Sequence, residues 1–112
     1  MLIAKRDLQY TPAAGTLTNV PISLFAPEHT GQDWRCRYTI GWPDEPQEGA
    51  GYGVDAMQAL ILTLQMIGAR IYCSDYHETG KLYFETPGSG YGFPVPKNIR
   101  DILIGDDARF EG

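Results

Sequence analysis

Over the first ten positions Leu2, Ala4, Leu8 and Tyr10 alternate with Lys5, Asp7 and Gln9, the period-two pattern of a half-buried strand, with Arg6 breaking the apolar side. Pro12 and Gly15 close this segment, and Val20, Ile22 and Leu24 restart the alternation. Pro21 has no amide hydrogen to give to a ladder, so the second strand is expected to be irregular or at an edge near its start. After a polar loop from Glu28 to Asp33, DWRCRYTIGW alternates most clearly: Trp34, Cys36, Tyr38, Ile40 and Trp42 form an apolar face, and Arg35, Arg37 and Thr39 a wet, basic one. PDEPQEG then reads as an acidic, proline-rich loop, and a short fourth strand through Tyr52 and Val54 leads to a helix.

The helix is the best-marked element. Asp55 is placed to cap it, and Gln58 three residues on completes a capping box. Met57, Leu60, Ile61, Leu64, Ile67, Gly68 and Ile71 recur at steps of three and four as one apolar stripe, widened by Leu62 and Met66. Gly68 costs about 1 kcal/mol of helix propensity relative to Ala, which predicts a close approach of helix to sheet there. The end is expected between Tyr76 and Gly80. KLYFETP (81–87) reads as a last strand, PGSGYGFPVP as an irregular loop carrying Tyr91 and Phe93, and KNIRDILIG as a short helix with Ile99, Ile102 and Leu103 inward or an extended strap. GDDARFEG reads as a mobile acidic tail. Strands followed by one long helix, without βα alternation, predict an α+β fold: an antiparallel sheet of four to five strands with the helix packed across one face. The domain is assigned to residues 1–104 and the tail to 105–112. The sheet face away from the helix, if the carboxyl-terminal segment leaves it bare, is where a partner could bind.

Gly49, Gly51 and Gly53 directly before the helix invite comparison with a phosphate-binding loop. A dinucleotide loop needs G-x-G-x-x-G and free helix amides, but the third glycine position here is Val54, and Asp55 would occupy the amides and repel an anion. No lysine follows as in a P-loop. The glycines are therefore expected to form a strand lying close under something bulky.

Composition narrows the classes. The 112 residues suit one domain; 43% are hydrophobic and 21% charged, a globular balance. Nine Lys and Arg against fourteen Asp and Glu give a formal net charge of -5, which argues against nucleic acid and anionic lipid as partners and favours a basic protein. MLIAKRDLQY lacks the apolar middle of a secretory signal, and Gln58, Thr63, Gln65 and Arg70 make the helix too polar to span a bilayer, so a cytoplasmic location without membrane attachment is expected.

Catalytic and metal chemistry find little support. Cys36, Cys73 and His77 offer three ligands where structural zinc takes four, and Cys36 and Cys73 are expected as buried thiols, with His77 facing solvent at the helix end. As a nucleophile and base, Cys73 and His77 lack an orienting partner, since Asp75 lies about 200° round the helix from Cys73. Glu28, His29 and Asp33 read as a solvated turn in preference to a weak cation site. No cofactor, metal or catalytic residue is expected. Asp44, Glu45 and Glu48, with Asp106, Asp107 and Glu111, are the acidic stretches.

Trp34-Arg35-Cys36, the helix start Y-G-V-D-x-x-Q-A-L at Tyr52–Leu60, and Gly92-Phe93-Pro94 together resemble a family of small uncharacterised bacterial proteins over about residues 1–96. The resemblance implies this fold and a bacterial origin; it carries over no activity, cofactor or catalytic residue. Residues 97–112 look like an addition to the pattern.

The expected function is non-enzymatic binding, of the immunity type that neutralises a bacterial toxin by surface complementarity. Asp44, Glu45 and Glu48 would steer, and Trp42, Tyr52, Tyr91 and Phe93 anchor. The alternative is a small-ligand module using a hollow between sheet and helix lined by Trp34, Tyr38 and Met57.

Overall fold

The computed structural model describes residues 1–12 and 15–111, the last without its side chain. Five longer elements carry the fold: β1 (Leu2–Tyr10), β2 (Thr18–Phe25), β4 (Trp34–Ile40), β5 (Gln47–Gly53) and α1 (Ala56–Tyr72). Shorter ones complete it: β3 (Glu28–His29), α2 (Asp75–Glu78), β6 (Leu82–Tyr83), a 3-10 helix (Lys97–Ile102) and α3 (Gly105–Glu111). The fold is α+β. All pairings in the open sheet are antiparallel, β4 joining β5 to β2 and the short β3, and β1 joining β2 to β6.

The register puts one residue set on the helix side. Leu8 faces Val20, Ile22 faces Ile40, Leu24 faces Tyr38, and all six are buried. The alternate residues, among them Lys5, Asp7, Arg35, Arg37 and Thr39, form the open face, as the alternation predicts. That face is polar but largely self-neutralised. Glu28 accepts from Arg35 Nε and Nη2 (3.0 and 2.7 Å) and lies 3.4 Å from Arg37, while Asp7 takes a hydrogen bond from Asn19. The hydrogen bond from Arg35 holds the Glu28 carboxyl below its ordinary pKa. β2 lies between β1 and β4, but near its start, as expected, it is an edge: the stretch through Pro21 is paired with β1 alone. Pro21 is tolerated because pairing with β4 begins only at Ile22, and beyond it the Gly41 amide donates to the Pro21 carbonyl (2.8 Å).

The capping box forms. Asp55 Oδ1 accepts from the Gln58 amide (2.8 Å), and Gln58 Oε1 accepts from the Val54 amide (2.7 Å), one residue earlier than in the usual box. The helix mouth is thus spanned by its own side chains. The buried stripe of α1 differs from the expected one. Ala59, Thr63, Ile67, Gly68 and Ile71 face inward, whereas Met57, Ile61 and Leu62 are exposed. The glycines of β5 are the cause. Cys36 and Trp34 of β4 face Gly51 and Gly53, and a Cβ at Gly53 would lie 2.5 Å from the Ala59 amide nitrogen, while one at Gly51 would overlap the Thr63 hydroxyl. Helix and strand touch backbone to backbone, so small residues must line the contact. Gly49 makes room for the Tyr38 ring, the one bulky neighbour of the three.

Thr63 fastens this contact. Its hydroxyl accepts from the Gly51 amide (3.0 Å) and lies within donating distance of the carbonyls of Ala59 (2.7 Å) and Cys36 (3.0 Å). Thr63→Val keeps the shape but leaves the buried Gly51 amide without its acceptor; a loss of about 2 kcal/mol in urea unfolding is expected. A loss below roughly 0.5 kcal/mol would show that the hydroxyl is dispensable.

The carboxyl-terminal segment covers the half of the sheet that α1 leaves bare. Tyr91, Phe93 and Val95 are buried, and the stretch Tyr91–Pro96 runs as a strap beside α1. Gly68 therefore makes room for this strap, at Pro94, and not for the sheet. Arg6, the break in the first alternation, secures it by donating from Nη1 to the carbonyls of Tyr91 (3.0 Å) and Gly92 (3.2 Å), with its guanidinium 4.5 Å from the Phe84 ring centre and 5.1 Å from that of Phe93. The last strand shrinks to Leu82–Tyr83, and residues 97–102 take the helical option as a 3-10 turn, with Leu103 buried and Ile99 half-buried but Ile102, expected inward, exposed.

The expected mobile tail is instead helix α3. Asp107 is buried; it accepts from the amides of Tyr91 (2.7 Å) and Gly92 (2.8 Å) and from the Tyr72 hydroxyl (2.5 Å). A carboxylate with three donors is held inside in spite of its charge, and the segment following residue 104 belongs to the packed domain. Glu111, grouped by sequence with the acidic stretches, has its side chain outside the described residues.

Candidate functional site

α1 ends at Tyr72 because Ser74 starts a new turn: its Oγ accepts from the His77 amide (3.1 Å), capping α2. The chain's change of direction brings Tyr76 against Trp42. The two rings stack with centres 4.9 Å apart and planes within 3°, and Tyr10 meets Tyr76 edge-on at 4.9 Å. The Trp42 indole donates to Gln47 Oε1 (2.9 Å), and the Tyr76 hydroxyl donates to Asp44 Oδ1. The second of these bonds, with the Trp42 stack, holds the 43–47 loop against α2, just beyond the end of α1.

Between loop and helix end lies a groove of about 490 Å3, lined by Asp44, Glu45, Gln47, Arg70, Asp75 and the stacked aromatics. Three carboxylates face one guanidinium. The Tyr76 hydroxyl keeps the Asp44 carboxyl below its ordinary pKa, and burial together with Asp44 raises that of Tyr76. Next to it, sharing Arg70 and Cys73, a second groove of about 540 Å3 runs along the outer side of α1, lined by Tyr52, Leu62, Met66, Ala69 and Pro96. A charged groove thus continues into an apolar one.

The seven residues expected to meet a partner separate into three sets. Trp42, Asp44 and Glu45 come together in the acidic groove, although Trp42 is a buried wall and not an exposed anchor. Glu48 and Tyr52 alternate onto the open face of β5, where Tyr52 also borders the apolar groove. Tyr91 and Phe93 are core residues, 2% and 7% exposed, so neither can anchor a partner; the strap turns them under itself to cover the sheet. Asp106 lies 3.7 Å from Arg109, and Asp107 is buried, so neither joins the acidic groove. Sequence reasoning missed Tyr76 and the turn that delivers it, for which Ser74 as a cap was the available signal.

The other constellations come apart. Cys36 is buried, its thiol donating to the Phe25 carbonyl (3.2 Å) and its pKa raised by burial, whereas Cys73 is exposed and not the buried thiol expected. His77 turns inward, with Nδ1 2.5 Å from the Tyr91 hydroxyl and its ring edge-on to Tyr72 and Tyr91. Glu28, His29 and Asp33 are each engaged separately, His29 with the Gly31 amide and Asp33 with the Thr30 hydroxyl. The three residues expected to line a hollow do not converge: Tyr38 is buried against Gly49, Trp34 is half-buried and Met57 is exposed.

Burial lowers the His77 pKa from the ordinary 6.5. The unfolded chain therefore takes up this proton more readily than the folded one, and stability present above pH 6.5 is lost as pH falls through it. The melting temperature is expected to drop between about pH 7.5 and 5.5, and His77→Gln to flatten that slope. An unchanged slope in the variant would remove His77 as its source. Glu28 and Asp44, with lowered pKa values, add their losses only at lower pH.

An open antiparallel sheet under one long helix, with a grooved surface at the helix end, defines an α+β domain. The profile described as Domain of unknown function (DUF6968) matches residues 4–95, and the chain belongs to this family. No curated protein and no solved structure matches it. Among the described residues no helix is long and apolar enough to cross a membrane, and no group of three or more His, Cys, Asp or Glu side chains is placed to hold a metal ion.

Proposed function

We propose that the domain is a non-catalytic binding protein whose working surface is the pair of joined grooves, and that it receives a basic, partly apolar segment of a partner protein. The reading rests on one observation above others: a carboxylate-lined groove braced by Trp42 and Tyr76 opens directly into an apolar groove beside exposed Leu62. An apolar centre flanked by charge is the usual build of a protein interface. Charges on the groove would govern association rate and specificity, and the apolar groove would govern residence. Such a surface suits an immunity-type role in a bacterial cell, where an acidic domain blocks a basic toxin.

The test takes the product of the adjacent gene, expected on this reading to be basic, and measures its binding to the purified domain. Glu45→Lys with Asp75→Lys, both at exposed positions whose carboxylates make no hydrogen bond among the described residues, should keep the melting temperature within a few degrees while slowing association at least about tenfold and weakening its salt dependence. Unchanged association, or survival of cells lacking this gene while that neighbour is produced, would defeat the reading.

A further inference from the structure

A separate cleft of about 280 Å3 opens on the other side of α1, between the helix, the strap and strands β1 and β2. Its walls are Ile22 and Leu24 from the sheet, Leu64 and Ile67 from α1, and Phe93 and Pro94 from the strap. The space exists because the strap is held off the sheet at two places. Pro94 rests on the helix backbone at Gly68, and the Arg6 guanidinium is wedged beside Phe84 and Phe93. At the mouth of the cleft β1 contributes Ala4, too small to close it.

Arg6 and Lys5 of β1 both border this cleft, but Arg6 belongs to the helix-side set, whereas Lys5 alternates to the open face, where its Nζ lies 3.7 Å from Asp7. The Arg6 Nη1 is committed to the strap carbonyls. Its Nε and Nη2 make no hydrogen bond, and no carboxylate lies within ion-pair distance of it, among the described residues. The neighbouring acid, Asp107, is already engaged by the amides of Tyr91 and Gly92 and by Tyr72. A half-buried cation with free donors at the rim of an apolar space calls for a complementary group with one negative charge and a compact apolar body. A dianionic phosphate would need more donors than a single guanidinium supplies.

We infer that this cleft binds a small apolar monocarboxylate, its carboxylate on Arg6 Nε and Nη2 and its hydrocarbon body among Ile22, Leu24, Leu64 and Phe93. The volume is just below the usual range for small-molecule sites, so the ligand has the size of a short alkanoate or an arylalkanoate. The site lies apart from the acidic groove, and the two readings can fail independently.

Hexanoate and 3-phenylpropionate serve as probes in a methyl-detected NMR titration of the whole chain, with 1-hexanol as the neutral control. Saturable shifts confined to the methyls of Ile22, Leu24, Leu64 and Ile67 are expected, with the alcohol at least about tenfold weaker, because it lacks the charge-assisted bonds to Arg6. Arg6→Gln should abolish the preference for the acid. Since Arg6 also fastens the strap, Ala4→Phe supplies a second arm: an exposed substitution that fills the mouth, leaves the melting temperature within a few degrees and removes binding. No saturation at about 10 mM carboxylate, equal shifts from acid and alcohol, or full binding by Ala4→Phe would each overturn the inference.

Discussion

Replacing Asp107 by Ala will lower stability by about 3 kcal/mol, and replacing it by Asn by nearly as much. The carboxylate gathers three donors: the amides of Tyr91 and Gly92 and the hydroxyl of Tyr72. Two of these bonds are buried, so water cannot freely replace the lost acceptor. Gly90, at φ +93°, gives the carboxylate its room, since a Cβ there would lie 2.5 Å from Asp107 Cγ. Asn keeps the volume but turns an amino group toward amides that need an acceptor, so size alone cannot rescue it. For a chain of this length the melting temperature should fall by roughly 12 °C. Hydrogen exchange at Tyr91 and Gly92 should quicken along with it, because the strap loses its tie to α3. A shift of only a degree or two in both variants would mean that α3 is not fastened by this carboxylate.

Gly68→Ala will destabilise the protein by about 1 kcal/mol net, the opposite of what replacing a helical glycine usually does. In an isolated helix the exchange gains about 1 kcal/mol of propensity. Here the added methyl would overlap the Pro94 carbonyl oxygen and come within 3.0 Å of Val95 Cγ1. The first of these is backbone, in a segment held by Arg6 and Asp107, and it cannot step aside cheaply. Overpacking of this kind costs roughly 1–3 kcal/mol and must also cancel the propensity gain before it shows as a net loss. Urea unfolding checks the sign. A stabilised variant would show that the strap yields, and that its approach to α1 is loose.

The two residues differ in how far the chain announced them. Gly68 stood out as an expensive residue inside a well-marked helix, and a close approach followed from local propensity; its partner did not, because the strap is 26 residues further on at Pro94. Asp107 sat in an acidic stretch indistinguishable in composition from a solvated tail. Only the arrival of Tyr72, Tyr91 and Gly92 around it makes a buried carboxylate tolerable, and these come from distant parts of the chain. Tyr91 and Phe93 show the same ambiguity from the other side. An aromatic in a glycine-rich loop can anchor a partner or fold back as core, and the uncovered half of the sheet decides for core.

For the candidate groove, the acidic pair Asp44 and Glu45 was legible because charge in a proline-rich loop is exposed wherever the loop goes. The wall opposite was not. Tyr76 reaches Trp42 only because Ser74 ends one helix and begins another, a change of direction whose result depends on what the second turn packs against.

By itself the sequence determined the features set within a few neighbouring residues: the alternation that divides β4 into two faces, the Asp55 and Gln58 cap, and the class of fold that follows from their order. Tertiary structure alone decided which side of α1 turns inward, where the strap lies and whether Asp107 is wet or dry. Apolar residues surround much of α1, so hydrophobicity could not choose its buried side; backbone contact with a glycine strand did, by admitting only residues as small as Ala59 and Thr63 along the closest line.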